Sequence, residues 1–149
     1  MTTARKRNAR KSPPSARSFQ RTRQDHKTET AEDYVEMIAD LIDQHGEARL
    51  VDLAKALGIS HATANRTLGR LQEDGLVQSR PYRSIFLTDT GRALAMQSRG
   101  RHRLVCQFLV ALGVAQEQAE IDAEGLEHHV SDVTLRAMER FLAASANRD

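Results

Sequence analysis

Residues 50–75 decide the fold: Leu50-Val51-Asp52-Leu53-Ala54-Lys55-Ala56-Leu57-Gly58-Ile59-Ser60-His61-Ala62-Thr63-Ala64-Asn65-Arg66-Thr67-Leu68-Gly69-Arg70-Leu71-Gln72-Glu73-Asp74-Gly75. Leu50, Leu53, Ala54 and Leu57 recur at the spacing of one helical face. Gly58 marks a turn, and Ser60 offers a side-chain oxygen to the free N–H groups that open a second helix. Ala64, Leu68 and Leu71 form the inward stripe of that helix, and Gly75 closes it. Two helices joined by a short glycine-containing turn make a helix-turn-helix.

Downstream, Leu76-Val77-Gln78 and Ile85-Phe86-Leu87 read as short strands around the loop 79–84, which makes a hairpin wing. Thr88 can cap a long helix over 89–112, with a break expected near Gly100 and a buried stripe of Val105, Phe108, Leu109 and Leu112. Gly113 ends it. Helices over 116–129 and 132–144 follow, with Ser131 as the N-cap of the second. Upstream, Tyr34, Ile38, Leu41 and Ile42 predict a helix over 32–45, stopped near Gly46. The expected fold is mainly α: a winged helix-turn-helix over 31–90, then an α-helical metal-binding and dimerisation domain over 91–149. The helical part has too little core to stand alone, so it is expected to pair with a second copy.

Residues 1–30 are expected to be a disordered basic tail. They are rich in Arg, Lys, Ser, Thr and Pro, and Phe19 is the exception in a stretch otherwise almost without large apolar side chains. The net charge of +2 conceals an asymmetry: residues 1–31 carry nine Lys+Arg against two Asp+Glu, and the remainder carries 13 against 18. A basic tail on an acidic body suits attraction to a polyanion. One cysteine, Cys106, excludes an intrachain disulfide and a thiolate zinc cluster. No apolar run is long enough to span a membrane, and no apolar leader stands at the N-terminus. A cytoplasmic protein is the expectation.

On the second helix of the motif, His61, Thr63, Asn65, Arg66 and Arg70 point outward beside the cap residue Ser60. Such donor-rich positions reach base edges and phosphates when the helix lies in a major groove. Arg80 and Arg83 on the wing are expected to hold phosphates, with Tyr82 packing between them. The bland alternative is a solvated face, or a winged helix that binds protein.

Glu124-Gly125-Leu126-Glu127-His128-His129 carries the second signal. On a helix, Glu124, Glu127 and His128 share one face, while His129 turns away and reads as structural. Asp33 and Glu36 repeat the i, i+3 spacing upstream, and His102 lies at the edge of the long helix's apolar stripe. Brought together, these residues offer oxygen-rich ligation without thiolate, which suits Mn(II) or Fe(II) over structural zinc. Each also has an ordinary reading: Asp33 and Glu36 as complements to a helix dipole, His102 as a core-edge imidazole, Glu124 and Glu127 as surface charges. A ferritin-like enzyme would need paired Glu-x-x-His motifs on separate helices, which this chain lacks. Cys106 reads as core.

Asp33-Tyr34-Val35-Glu36, Leu53-Ala54-Lys55-Ala56-Leu57-Gly58, Phe86-Leu87-Thr88, Arg101-His102 and Glu124 through Ser131 together resemble the manganese transport regulators, the Mn(II)-responsive branch of the diphtheria-toxin-repressor-like metalloregulators. The similarity spans about residues 31–142. It implies a homodimeric, non-enzymatic regulator that binds double-stranded operator DNA. It places metal ligands at Asp33, Glu36, His102, Glu124, Glu127 and His128, for Mn(II), at one or two ions per chain. A methionine stands at the Asp33 position in the iron-responsive branch, so the carboxylate favours manganese. The implied output is repression of manganese-uptake genes when the metal is plentiful, with activation of export as a further option. The resemblance implies no small organic ligand and no membrane partner. The rival expectation is a winged-helix repressor that answers to iron or to an organic ligand.

Overall fold

The computed structural model describes residues 16–146. Six helices and one two-stranded sheet run in the order α1 (Ala16–His45), α2 (Leu50–Leu57), α3 (His61–Glu73), β1 (Val77–Gln78), β2 (Phe86–Leu87), α4 (Asp89–Ala111), α5 (Gln116–Leu126) and α6 (Asp132–Ala146). The strands pair antiparallel, with Val77 opposite Leu87 and Gln78 opposite Phe86. Ile85 extends the sheet by bridging to Ala48, so the wing is stitched to the segment before α2.

Two cores form. In the first, Tyr34, Val35, Ile38 and Leu41 of α1 meet Leu53, Leu68, Leu71, Val77, Ile85, Leu87 and Ala95. Ile38, Leu53 and Ile85 are fully buried, each contributing about 1.5–3 kcal/mol. The second is smaller: Val105, Cys106, Ala119, Ala123 and Leu135. Helix α4 runs through both, with Ala95 in one and Val105 in the other. Arg99 of α4 is paired with Asp40 and, at 3.4 Å, with Asp43, which ties α4 to α1.

Local chemistry explains the boundaries. The glycines expected to end helices, Gly46, Gly58, Gly75 and Gly113, all have positive φ, the conformation in which a Cβ is strained. Ser60, Thr88 and Ser131 each accept from the backbone N–H three residues on. Gly91 answers a different need: a Cβ there would lie 1.9 Å from the carbonyl oxygen of Leu76. Only glycine lets the first turn of α4 seat against the wing.

Several expectations need correction. Helix α1 starts at Ala16, not near 32, so residues 16–30 of the expected disordered tail are helical; residues 1–15 lie outside the described residues. Helix α4 is unbroken at Gly100. A single glycine costs about 1 kcal/mol, which cores at both ends of the helix outweigh. Leu112 is exposed, because it caps the end of α4 beyond the second core. Helix α5 ends at Leu126, so His128 and His129 lie in a turn; Glu127 keeps helical torsions as its C-cap.

Candidate metal centre and nucleic-acid interface

The expected ligands arrive from three places. Asp33 and Glu36 lie on α1, His102 on α4, and Glu124, Glu127 and His128 on α5 and the turn after it. Glu127 stands at the centre, its side chain 2% exposed. Its Oε2 is 2.8 Å from His102 Nδ1, and its Oε1 is 3.4 Å from His128 Nε2. Around His102, Glu124 adds an oxygen at 3.9 Å, and donor atoms of His102, Glu124 and Glu127 all lie within 4.8 Å of one another. Around His128, Asp33 adds an oxygen 3.3 Å from Nε2. Glu36 has no hydrogen bond to the cluster, but it borders the same recess as His102 and Glu124. Its charge opposes ionisation of both Asp33 and Glu127.

The electrostatics show a crowded acidic site. Burial pushes the Glu127 carboxyl up to about 7, helped by Glu36 and Glu124 and opposed by the two histidines. Burial also raises Asp33. For His102, burial alone would lower the pKa, but the bond to Glu120 and the charges of Glu127 and Glu124 hold it above the ordinary value. For His128, burial is likewise outweighed by Glu32, Asp33 and Glu127. Glu127, Asp33, His102 and His128 therefore hold protons more tightly than free side chains do.

Sequence reasoning missed two carboxylates. Glu32 is buried and bonded to His128 Nδ1 and to Arg101. Glu120 is bonded to His102 Nε2 at 2.9 Å. Helical spacing held the signal for both: Glu32 precedes Glu36 by four residues, and Glu120 precedes Glu124 by four. Cys106 is core, as expected, and burial raises its thiol pKa.

The DNA-reading candidates divide. His61 and Asn65 of α3 face Arg80, Tyr82 and Arg83 of the wing across a groove of about 800 Å³, with Arg49, Gly69 and Gln72 also on its walls. Arg66 is exposed outside that groove. Arg70 is exposed too, beside the N-terminal half of α1, and donates weakly to Thr67 at 3.4 Å. Ser60 and Thr63 are bonded to each other at the helix N-terminus. Tyr82 is not packed between the wing arginines. It is 108% exposed at the tip of the Arg80–Arg83 turn, with φ at +57°. The wing is fixed at both ends: Gln72 Oε1 accepts from the Ser79 N–H at 3.1 Å, and Ser84 donates to Glu47 at 2.6 Å.

A winged helix-turn-helix followed by a helical domain with a histidine–carboxylate cluster defines a class of DNA-binding regulators rather than enzymes. Family comparison agrees. Residues 26–85 match the iron dependent repressor N-terminal DNA binding domain, and residues 88–147 match the iron dependent repressor metal binding and dimerisation domain. The chain is 50% identical over 123 residues to the transcriptional regulator MntR of Escherichia coli O157:H7, covering 83% of this chain and 79% of that one. It is 36% identical over 104 residues to the HTH-type transcriptional regulator MntR of Bacillus subtilis strain 168, covering 70% and 73%. A solved manganese-dependent transcriptional repressor in complex with manganese is similar at a TM-score of 0.66 and 34% identity, over 76% of this chain and 52% of that chain. This chain thus spans about half the length of that solved protein. The chain belongs to the iron-dependent repressor family of metal-dependent transcriptional regulators. Among the described residues no helix is long and apolar enough to cross a membrane.

Proposed function

We propose that the chain is a Mn(II)-responsive repressor of manganese-uptake genes, acting as a homodimer on operator DNA. The observation that carries the metal reading is Glu127. Its Oε2 is buried and makes no well-aligned hydrogen bond, its near neighbour being His102 Nδ1 at 2.8 Å, while its Oε1 lies 3.4 Å from His128 Nε2. A buried anionic oxygen of that kind is costly unless a cation satisfies it. Asp33, Glu36, His102, Glu124, Glu127 and His128 are the proposed ligands. Oxygen-dominated donors favour a hard ion such as Mn(II). The donors fall into two groups that share Glu127, one with His102 and Glu124 and one with His128 and Asp33. That arrangement accommodates two ions per chain.

When bound, the metal supplies the positive charge that these converging carboxylates lack. The chain's own residues then transmit the effect. Helix α1 carries Asp33 and Glu36 and also supplies Val35 and Ile38 to the core beneath the reading helix. Fixing α1 against α4 and α5 fixes the reading helix relative to the dimerising helices. Val110, Leu112, Ile121, Leu126, Val133 and Phe141 are exposed apolar residues of that second half, the surface proposed to pair with a second copy. Two reading helices must sit about 34 Å apart, or a multiple of that, to enter successive major grooves. His61, Asn65, Arg66 and Arg70 are proposed to read bases and nearby phosphates, with Ser60 and Thr63 at the helix N-terminus. Arg80, Tyr82 and Arg83 are proposed to hold the flanking backbone.

The test is retention of fragmented genomic DNA from the source organism by metal-free protein, with and without Mn(II), at one salt concentration. A few fragments enriched only with Mn(II) are expected. The same fragments retained equally without metal would overturn the reading.

A further inference from the structure

Both imidazoles of the cluster turn one nitrogen toward the proposed ligands and the other toward a carboxylate outside that set. His102 directs Nδ1 at Glu127 and Nε2 at Glu120. His128 directs Nε2 at Asp33 and Glu127, and Nδ1 at Glu32, 2.6 Å away. The two backing carboxylates are not equivalent. The Glu120 side chain is 51% exposed, and its other oxygen accepts from Gln116 of the same helix at 2.7 Å. The Glu32 side chain is 4% exposed, and its other oxygen accepts from the Arg101 guanidinium. Glu32 belongs to α1, Arg101 to α4, and His128 to the turn after α5.

We infer that Glu32 is a positioning residue of the metal site. It accepts from His128 Nδ1–H and so fixes the tautomer whose Nε2 lone pair faces Asp33 and Glu127. The inference rests on the proposal that His128 is a ligand. Glu32 is not itself a ligand: the His128 ring stands between it and Asp33, and both its oxygens are engaged. Arg101 completes the device. Guanidinium has only donors, so it demands an oxygen from its partner, and the second carboxylate oxygen is left for His128. The other nitrogen of a ligating histidine commonly has such a partner, whose loss weakens metal binding about 10–100-fold.

The arrangement makes Glu32→Gln informative. An amide has one oxygen and one NH2. Arg101 takes the oxygen, which leaves the NH2 facing His128 Nδ1. That nitrogen must then accept, so the ring proton moves to Nε2 and points into the site. In E32Q/R101M the competing donor is gone, and the amide oxygen can turn back to Nδ1–H. Three variants of the full chain are compared with the parent: E32Q, E32Q/R101M and E120Q. Ring ¹⁵N chemical shifts of metal-free protein in alkaline buffer report the His128 tautomer, and chelator competition reports Mn(II) affinity.

The expected results are an Nδ1–H tautomer in the parent, an Nε2–H tautomer in E32Q with affinity about 10–100-fold weaker, and return of both toward the parent in E32Q/R101M. E120Q should leave the His128 tautomer unchanged. An E32Q protein that keeps the Nδ1–H tautomer overturns the inference, as does one that binds Mn(II) like the parent. If the double variant does not fold, the E32Q tautomer decides alone. Unaltered Mn(II) affinity in His128→Ala would instead overturn His128 as a ligand, and the inference with it. Weakened binding in H128A with none in E32Q would sink Glu32's role alone.

Discussion

The reading half and the metal cluster were built by different rules. In the reading half, most contacts that set the geometry have a local or apolar cause, the Ser84–Glu47 hydrogen bond across 37 residues being an exception. Ser60 caps α3, Gly58 ends α2, and Gln72 holds the wing from seven residues away. The cluster has almost no local contact. Glu32 and His128 are 96 residues apart, and Glu32 and Arg101 are 69 apart. The first region is stabilised by excluding water from leucine, isoleucine and valine. The second gathers carboxylates, two of which, Asp33 and Glu127, have pKa values raised by burial and by their acidic neighbours. A regulator needs that contrast: a reader that holds its shape, and a joint whose free energy depends strongly on what binds there.

The largest test of the contrast is Glu127→Gln. The amide keeps the size and removes the shared anionic oxygen. Loss of a buried charged partner costs about 3–5 kcal/mol, so Mn(II)-dependent operator retention should fall by roughly 100-fold or more. The metal-free protein at neutral pH should be no less stable to unfolding, because the parent carboxyl, raised by burial to about 7, already opposes folding there. Normal metal-dependent retention in E127Q would show that the cluster is an ordinary acidic surface.

The next effect is a pair of opposite pH slopes. The folded pKa values of Glu127, His102, His128 and Asp33 are raised, Glu127 to about 7 from 4.5. A raised folded pKa gives stability that is present at lower pH and lost as pH rises through the folded value. Glu127 should therefore make the metal-free protein lose stability between pH 4.5 and about 7, with Asp33 adding a loss that starts near 3.8 and the two histidines one that starts near 6.5. Mn(II) affinity should move the other way, because ligands must give up their protons first. Each pH unit below about 7 should weaken binding about tenfold for each proton displaced. Chemical unfolding and chelator competition across the same buffers check both slopes, and parallel slopes would refute the account.

The legibility of the two regions follows the same division. The helix-turn-helix, the wing and all three hydroxyl caps were readable, because each signal lies within a few residues of what it determines. The convergence of Asp33 with Glu36, and of Glu124 with Glu127 and His128, was suggested by their helical spacing, whereas His102 was picked out only by its place at the edge of an apolar stripe. What stayed hidden depended on distant partners. Helical spacing puts Glu32 on the face of Glu36, but nothing near it in sequence announces that Arg101 and His128 will enclose it. The N-terminal half of α1 was hidden for another reason. Its composition is that of a solvated segment, yet it continues a helix whose later turns, at Tyr34, Val35 and Ile38, are anchored in the core. Propagating a helix is cheap once a nucleus exists.

Gly91 joins the two regions and was silent in sequence. Its N–H bonds to Thr88, and a Cβ would meet the Leu76 carbonyl oxygen at 1.9 Å. That carbonyl accepts from the Thr88 N–H at 3.1 Å, so it cannot retreat without losing the joint between wing and α4. Gly91→Ala should destabilise the protein by about 1–3 kcal/mol, read from its urea midpoint. An unchanged midpoint would mean that the joint can give way. DNA reading would then depend less on the seating of α4 against the wing.

The smallest effect lies at Tyr82, at the wing tip of the reading half. The turn Arg80–Arg83 closes with the Arg83 N–H on the Arg80 carbonyl, at 3.1 Å. Pro81 suits its second position, but the third requires positive φ, and a fully exposed tyrosine occupies it at +57°. Side chains there cost about 1 kcal/mol or more relative to glycine, and this one has no packing to offset the strain. Tyr82→Gly should therefore raise stability by about 1 kcal/mol while weakening operator binding, with the Mn(II) dissociation constant unchanged. Gain of stability with unaltered DNA affinity would remove Tyr82 from the reading surface. Loss of stability would mean that the wing tip has contacts beyond those of the single chain, as a wing seated on a second copy would have.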